Sequence, residues 1–240
     1  MSDMQEALAR VAARSPILLA TASDEQRRLR EELLAAEIAL KEQRERVAAL
    51  RRRLPLDTVV ETDYVFKEGP ADLARNDPAE MVETRLSDLF APGQDSLILI
   101  HFMFGAEAER PCPMCTMWAD GYDAVAAHVG QRASFVLVAK AEIAKLRRFA
   151  AERGWTRIRL LSSHGSRFNA DFGMEDDFGQ WPGVSVFRKG DDGRICHFYT
   201  ASAPIGADLS RGIDLMSPVW HLLDLLPEGR GDWFPSLRYD

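Results

Sequence analysis

Cys112 and Cys115 stand three residues apart in Cys112-Pro113-Met114-Cys115. On the first turn of a helix, that spacing brings two thiols close enough to form a disulfide. Cys112 then falls near the N-cap, where unpaired N–H groups and the helix dipole favour a thiolate. Pro113 suits the first helical position, because its missing N–H is not needed there. Cys115, one turn further in, is the less exposed thiol. The chemistry this spacing predicts is dithiol–disulfide exchange, in which Cys112 attacks and Cys115 resolves the mixed disulfide. Zinc binding and inert thiols are the alternatives. A four-coordinate zinc site wants a second pair with similar spacing. The chain has no second C-x-x-C, and adjacent Cys196-His197 is poorly spaced for two ligands. No metal and no cofactor is therefore expected.

Two other residues are placed to take part. His101 interrupts an apolar strand shortly before the pair, and a buried imidazole there could accept the Cys115 proton; a satisfied core histidine is the competing reading. Pro182, in Trp181-Pro182-Gly183-Val184, precedes a strand and is read as a loop facing the cysteines, or as a plain strand-entry proline. Trp118 and Trp181 are read as cleft-lining or core. Asp120 is read as an exposed helix residue or a cap. Cys196 is read as a buried strand residue.

These positions need elements to hold them. Leu97 to Met103 is a continuous apolar run, the signature of a central strand covered on both faces. A loop leads to the cysteines, and residues 113–129 read as a helix ending near Gly130. Phe135–Val138 is a second buried strand, Ala141–Glu152 a helix stopped by Gly154, and Arg157–Leu161 a third strand. Residues 164–180 read as irregular with some helix. Val184–Phe187 is a fourth strand, and Gly190-Asp191-Asp192-Gly193 signals a hairpin into Ile195–Thr200. Residues 208–225 read as a final amphipathic helix. Upstream, Thr58–Lys67 reads as short strands, 70–82 as a polar connection and 85–90 as a single turn. The alternation predicts a mixed α/β sheet with helices on both faces.

Residues 24 to about 54 predict a long helix, capped by Ser23 or Asp24 and closed by Pro55. Leu29, Leu33, Ala36, Leu40, Val47, Leu50 and Leu54 form a heptad seam with steps of 4, 3, 4, 7, 3 and 4. That seam either packs on the chain's own domain or pairs two copies into a homodimer. Domains are expected at 1–55, a helical arm, and 56–240.

The 240-residue chain has a net charge of −7, which argues against nucleic-acid binding. No apolar stretch is long enough to span a membrane, and the start lacks a secretory signal. A cytoplasmic protein is expected, and in a reducing compartment a close cysteine pair is more often catalytic or metal-binding than structural.

Taken together, several segments carry a resemblance. They are Leu97–Phe104 with Cys112-Pro113-Met114-Cys115-Thr116, Trp118-Ala119-Asp120-Gly121, Val136–Lys140, Gly154-Trp155, Leu160–Ser163, Phe168–Gly173 and Leu223-Asp224-Leu225 with Pro227 and Gly229-Arg230. In these segments the chain resembles the bacterial thioredoxin-like family called Domain of Unknown Function 899, over roughly residues 25–230. The resemblance implies a thioredoxin-like fold for 56–240 and a dithiol-disulfide oxidoreductase acting on a protein or small-molecule disulfide. It also places His101 where thioredoxins keep a buried carboxylate. Leu86-Ser87-Asp88-Leu89 looks like the segment before the corresponding strand in peroxiredoxins, but the peroxiredoxin Pro-x-x-x-Thr-x-x-Cys pattern is absent. Thiol peroxidase chemistry is thus the weaker alternative, beside a non-catalytic redox sensor or scaffold.

Overall fold

The computed structural model describes residues 3–12, 16–202 and, near the C-terminus, 219, 222, 225, 226, 232 and 234–237. The expected helix at 208–225 lies almost wholly outside the described residues. The chain divides into two compact units, Met1–Leu54 and Pro55–Asp240.

The first unit holds α1 (Asp3–Ala12) and α2 (Asp24–Arg51). Ser23 caps α2 through its hydroxyl, which accepts the Gln26 N–H at 3.1 Å. Leu29, Leu33, Leu40 and Leu50 of the heptad seam are all exposed.

In the second unit β1 (Val65–Glu68), β2 (Val82–Arg85) and β3 (Ser96–Phe102) precede α3 (Pro113–Val129). Then come β4 (Ser134–Ala139), α4 (Ile143–Arg153), β5 (Arg159–Ser162) and the single turn α5 (Phe168–Asp171). A tight hairpin follows, β6 (Glu175–Asp176) and β7 (Gly179–Gln180), then β8 (Gly183–Lys189) and β9 (Ile195–Ser202). Seven of the strands form one sheet in the order β2-β1-β5-β4-β3-β8-β9. β3, β4 and β5 run parallel, joined by α3 and α4, while β8 lies antiparallel on the other side of β3. This mixed sheet, with a helix opening directly after its central strand and an antiparallel pair beside it, is the thioredoxin-like arrangement.

β2 and the β6–β7 hairpin were not legible beforehand. β2 is an edge strand that buries only Thr84, so it carries no apolar alternation. Gly154 ends α4 with φ +74°, the left-handed turn a glycine adopts at no steric cost.

Successive residues of β3 point to opposite faces of the sheet. Ile100 and Phe102 enter one core with Trp118, Leu146, Phe149 and Trp155 from the α3 and α4 side. Leu97 and Leu99 enter the other with Phe66, Val138, Phe168 and Phe187. The continuous apolar run of β3 follows from this double burial. Gly183, where β8 begins, has no room for a side chain: a Cβ there would collide with the Ala201 carbonyl oxygen. It is the residue that lets β9 and Met174 close against the loop bearing Pro182.

Candidate active site

Cys112 is the N-cap of α3 and Pro113 its first residue. The Cys112 N–H donates to the Met103 carbonyl at 3.1 Å, which ties the loop after β3 to the start of the helix. Thr116 closes the first turn, with its N–H and its hydroxyl both donating to the Cys112 carbonyl at 3.0 Å. Both cysteines are free thiols. Cys112 is half-buried, while Cys115 is 4% exposed and belongs to the core.

The two thiols are electrostatically unequal. The Cys115 S–H donates to the Cys112 sulfur and holds its pKa down to about 6, against the opposing pull of burial. The backbone N–H groups of Cys115 and Met114, at the positive end of α3, add to this. Cys115 is displaced well upward by the same hydrogen bond, by burial and by the charge of Cys112. One thiol is therefore a thiolate at neutral pH and the other keeps its proton.

Tyr122 lies two turns along α3 from Cys115 and was missed in the sequence. Its ring packs edge-on to Phe135, and its hydroxyl is buried with no hydrogen-bond partner among the described residues. Its pKa is raised by burial and then by the charge of Cys115. Its i+7 spacing from Cys115 was the available signal.

His101 does not serve the cysteines. Strand alternation puts it on the sheet face opposite Cys115, stacked on Phe168 at 5.6 Å between ring centres. Its Nε2 hydrogen-bonds Ser185 Oγ at 2.8 Å, and burial depresses its pKa to about 3. The expectation of a base for Cys115 is corrected: His101 is a neutral core imidazole. Ser185 continues to Thr200 and Thr200 to His197, each at 2.7 Å.

Pro182 precedes β8. The register pairs Gly183 with His101, so Pro182 falls one step on, at the end of β3 from which the cysteine loop departs. Trp181 is half-buried and donates from Nε1 to Asp176 at 2.8 Å. Trp118 is core, 4% exposed.

Asp120 is neither exposed nor a cap. It pairs with Arg153 of α4 and accepts the Trp155 indole N–H at 2.8 Å. One turn on, buried Asp123 accepts the N–H groups of Thr156, Arg157 and Ile158 at 2.9, 2.7 and 3.0 Å. These two carboxylates pin α3 to the chain between α4 and β5, and so fix where the dithiol sits. Cys196 is half-buried on β9, away from the pair in sequence and strand order. Among the described residues, no three His, Cys, Asp or Glu side chains are grouped to hold a metal, and no helix is long and apolar enough to cross a membrane.

No curated protein matches the chain. Among solved structures it is similar to the antioxidant protein (1-Cys peroxiredoxin) of Plasmodium falciparum, at 12% identity and TM-score 0.48, covering 70% of this chain and 99% of that one. It is also similar to the peroxidoxin BcpB of Mycobacterium tuberculosis, at 20% identity and TM-score 0.43, covering 66% and 93%. Oxidised Prx3 of Vibrio vulnificus gives 13% identity and TM-score 0.43, covering 63% and 89%. The family model described as "Bacterial protein of unknown function (DUF899)" matches residues 19–238, and the chain belongs to that family.

Proposed function

We propose that the protein is a thiol-disulfide oxidoreductase whose working pair is Cys112 and Cys115. The observation that carries this reading is the asymmetry of the pair: an accessible N-cap thiol with its pKa at about 6 beside a buried thiol that keeps its proton. The Cys112 thiolate attacks a substrate disulfide, the S–S bond breaks, and one substrate sulfur leaves as a thiolate. Cys115 gives up its proton to that thiolate and attacks the Cys112 sulfur of the mixed disulfide. The second substrate sulfur departs as a thiolate, which takes its proton from water, and a Cys112–Cys115 disulfide remains. Two electrons pass to the substrate, and a dithiol reductant restores the pair. Pro182 shapes the approach to Cys112 from the β8 side.

Titration of the full chain in thiol–disulfide buffers of graded potential tests this reading. Loss of two thiols in one reversible two-electron step, absent in Cys112→Ser, is the expected result. Thiols that stay reduced across the range, or that oxidise only between molecules, overturn it.

The exposed seam of α2 supports pairing of two copies through that helix. By light scattering the full chain is expected to run as a dimer and chains lacking residues 1–54 as monomers. A full chain that is already monomeric, or a truncated chain that is still dimeric, rejects the pairing.

A further inference from the structure

Phe178 is 94% exposed, more than any other large apolar side chain among the described residues. It sits at the tip of the β6–β7 hairpin, in Glu175-Asp176-Asp177-Phe178-Gly179-Gln180. Exposing a phenylalanine gains nothing for folding, yet the hairpin that presents it is firmly built. Asp176 accepts the Phe178 N–H at 2.9 Å with one carboxylate oxygen and the Trp181 indole N–H at 2.8 Å with the other. Gly179, at φ +128°, makes a turn that other residues rarely adopt. Glu175 is anchored by Lys140 at 2.8 Å, and the Trp181 N–H donates to the Met174 carbonyl. A pre-organised turn that holds one aromatic ring in solvent has the character of an interface anchor.

Its position matters as much as its rigidity. The hairpin runs directly into Trp181-Pro182-Gly183, at the end of the sheet where Cys112 lies. Gln180 reaches back toward the cysteine loop, since a Cβ on Gly105 would lie 3.4 Å from its side-chain nitrogen. The surroundings are net acidic: Asp176 and Asp177 are exposed on the hairpin and Glu107 and Glu109 on the cysteine loop, where the exposed Arg110 is paired with Glu152.

We infer that the β6–β7 hairpin is a docking element for the protein partner of the dithiol, recognising an apolar segment flanked by lysine or arginine. Phe178 packs among the partner's apolar side chains, and the acidic rim meets its cations and steers its approach. This inference rests on the dithiol reading above and names its partner class.

The test compares three disulfides as oxidants of the reduced full-length chain. They are bis(2-hydroxyethyl) disulfide, a leucine-rich disulfide peptide flanked by lysines, and the same peptide flanked by glutamates. The lysine peptide is expected to react about tenfold faster than its glutamate twin, a margin that shrinks in high salt. Phe178→Ser is expected to slow both peptides by about tenfold, with the small disulfide as control. Equal peptide rates in wild type and Phe178→Ser, with the small disulfide still reacting, overturn the docking inference alone. A small disulfide that reacts no faster than with free cysteine overturns the dithiol reading instead.

Discussion

Replacing Cys112 by serine is expected to bring disulfide exchange down to the uncatalysed background, while Cys115→Ser keeps the first step and stalls as a mixed disulfide. The asymmetry also fixes the pH dependence. With a pKa of about 6, the Cys112 thiolate outnumbers its thiol by about ten to one at pH 7. A thiol left at 9.0 would be about one part thiolate in a hundred. Lower basicity weakens each thiolate as a nucleophile, by roughly twentyfold over three pK units at a Brønsted slope near 0.45. The net gain at pH 7 is thus only several-fold, and the midpoint of the profile is the sharper measurement. Alkylation of Cys112 by iodoacetamide should rise with a midpoint near pH 6 and level off above it. In Cys115→Ala the first cause of the depression is gone, and the midpoint should move up toward the 9.0 of a free thiol. A midpoint that stays near 6 would assign the depression to the α3 backbone alone.

Arg147→Met is expected to be the most damaging substitution away from the cysteines. Arg147 is 2% exposed, on the inner side of α4. Its guanidinium donates to the carbonyls of Pro70, Asp72 and Arg75 and to the Asn76 side chain. The segment between β1 and β2 packs Leu73 and Met81 on the core, and this one side chain gathers its backbone carbonyls around them. Gly69 is part of the same arrangement, since a Cβ there would lie 2.7 Å from Arg147 Nε. Methionine keeps the volume and removes every donor. Leaving these carbonyls without partners costs about 3 kcal/mol or more in total. At roughly 2–4 °C per kcal/mol for a domain of this size, the melting temperature should fall by roughly 10 °C. Thermal melts of the reduced full-length chain check this. A fall of only a degree or two would mean that water reaches the carbonyls and replaces the arginine.

The cysteine pair and its helical setting were legible in the sequence because they are local. Cys112, Pro113 and Cys115 lie within one helical turn, and cap geometry, proline preference and thiol spacing all operate over that range. Leu97–Phe102 announced a central strand for a similar reason: apolar residues at both parities leave no face for solvent. Parity also shows where local reading stops. His101 lies close to the cysteines in sequence, but a strand sends alternate side chains to opposite faces, and only the placement of α3 and α5 decides which core each face meets. The imidazole thus went to Phe168 and Ser185 rather than to Cys115.

Asp120 read as an exposed helix residue or a cap, and nothing in the sequence singled out Asp123 or Arg147, because their partners are distant in sequence. Asp123 needs the chain after α4 to supply three N–H groups, and Arg147 needs the β1–β2 connection to supply carbonyls. The β6–β7 hairpin was hidden because strands of two residues carry no periodicity. By itself, the sequence determined the Cys112–Cys115 pair and the helix that opens at it, since nearest-neighbour geometry sets both. Tertiary structure alone decided which residues surround that dithiol, what holds α3 in place and that Phe178 stands in solvent beside the site, since burial and pairing across the sheet depend on segments far apart in the chain.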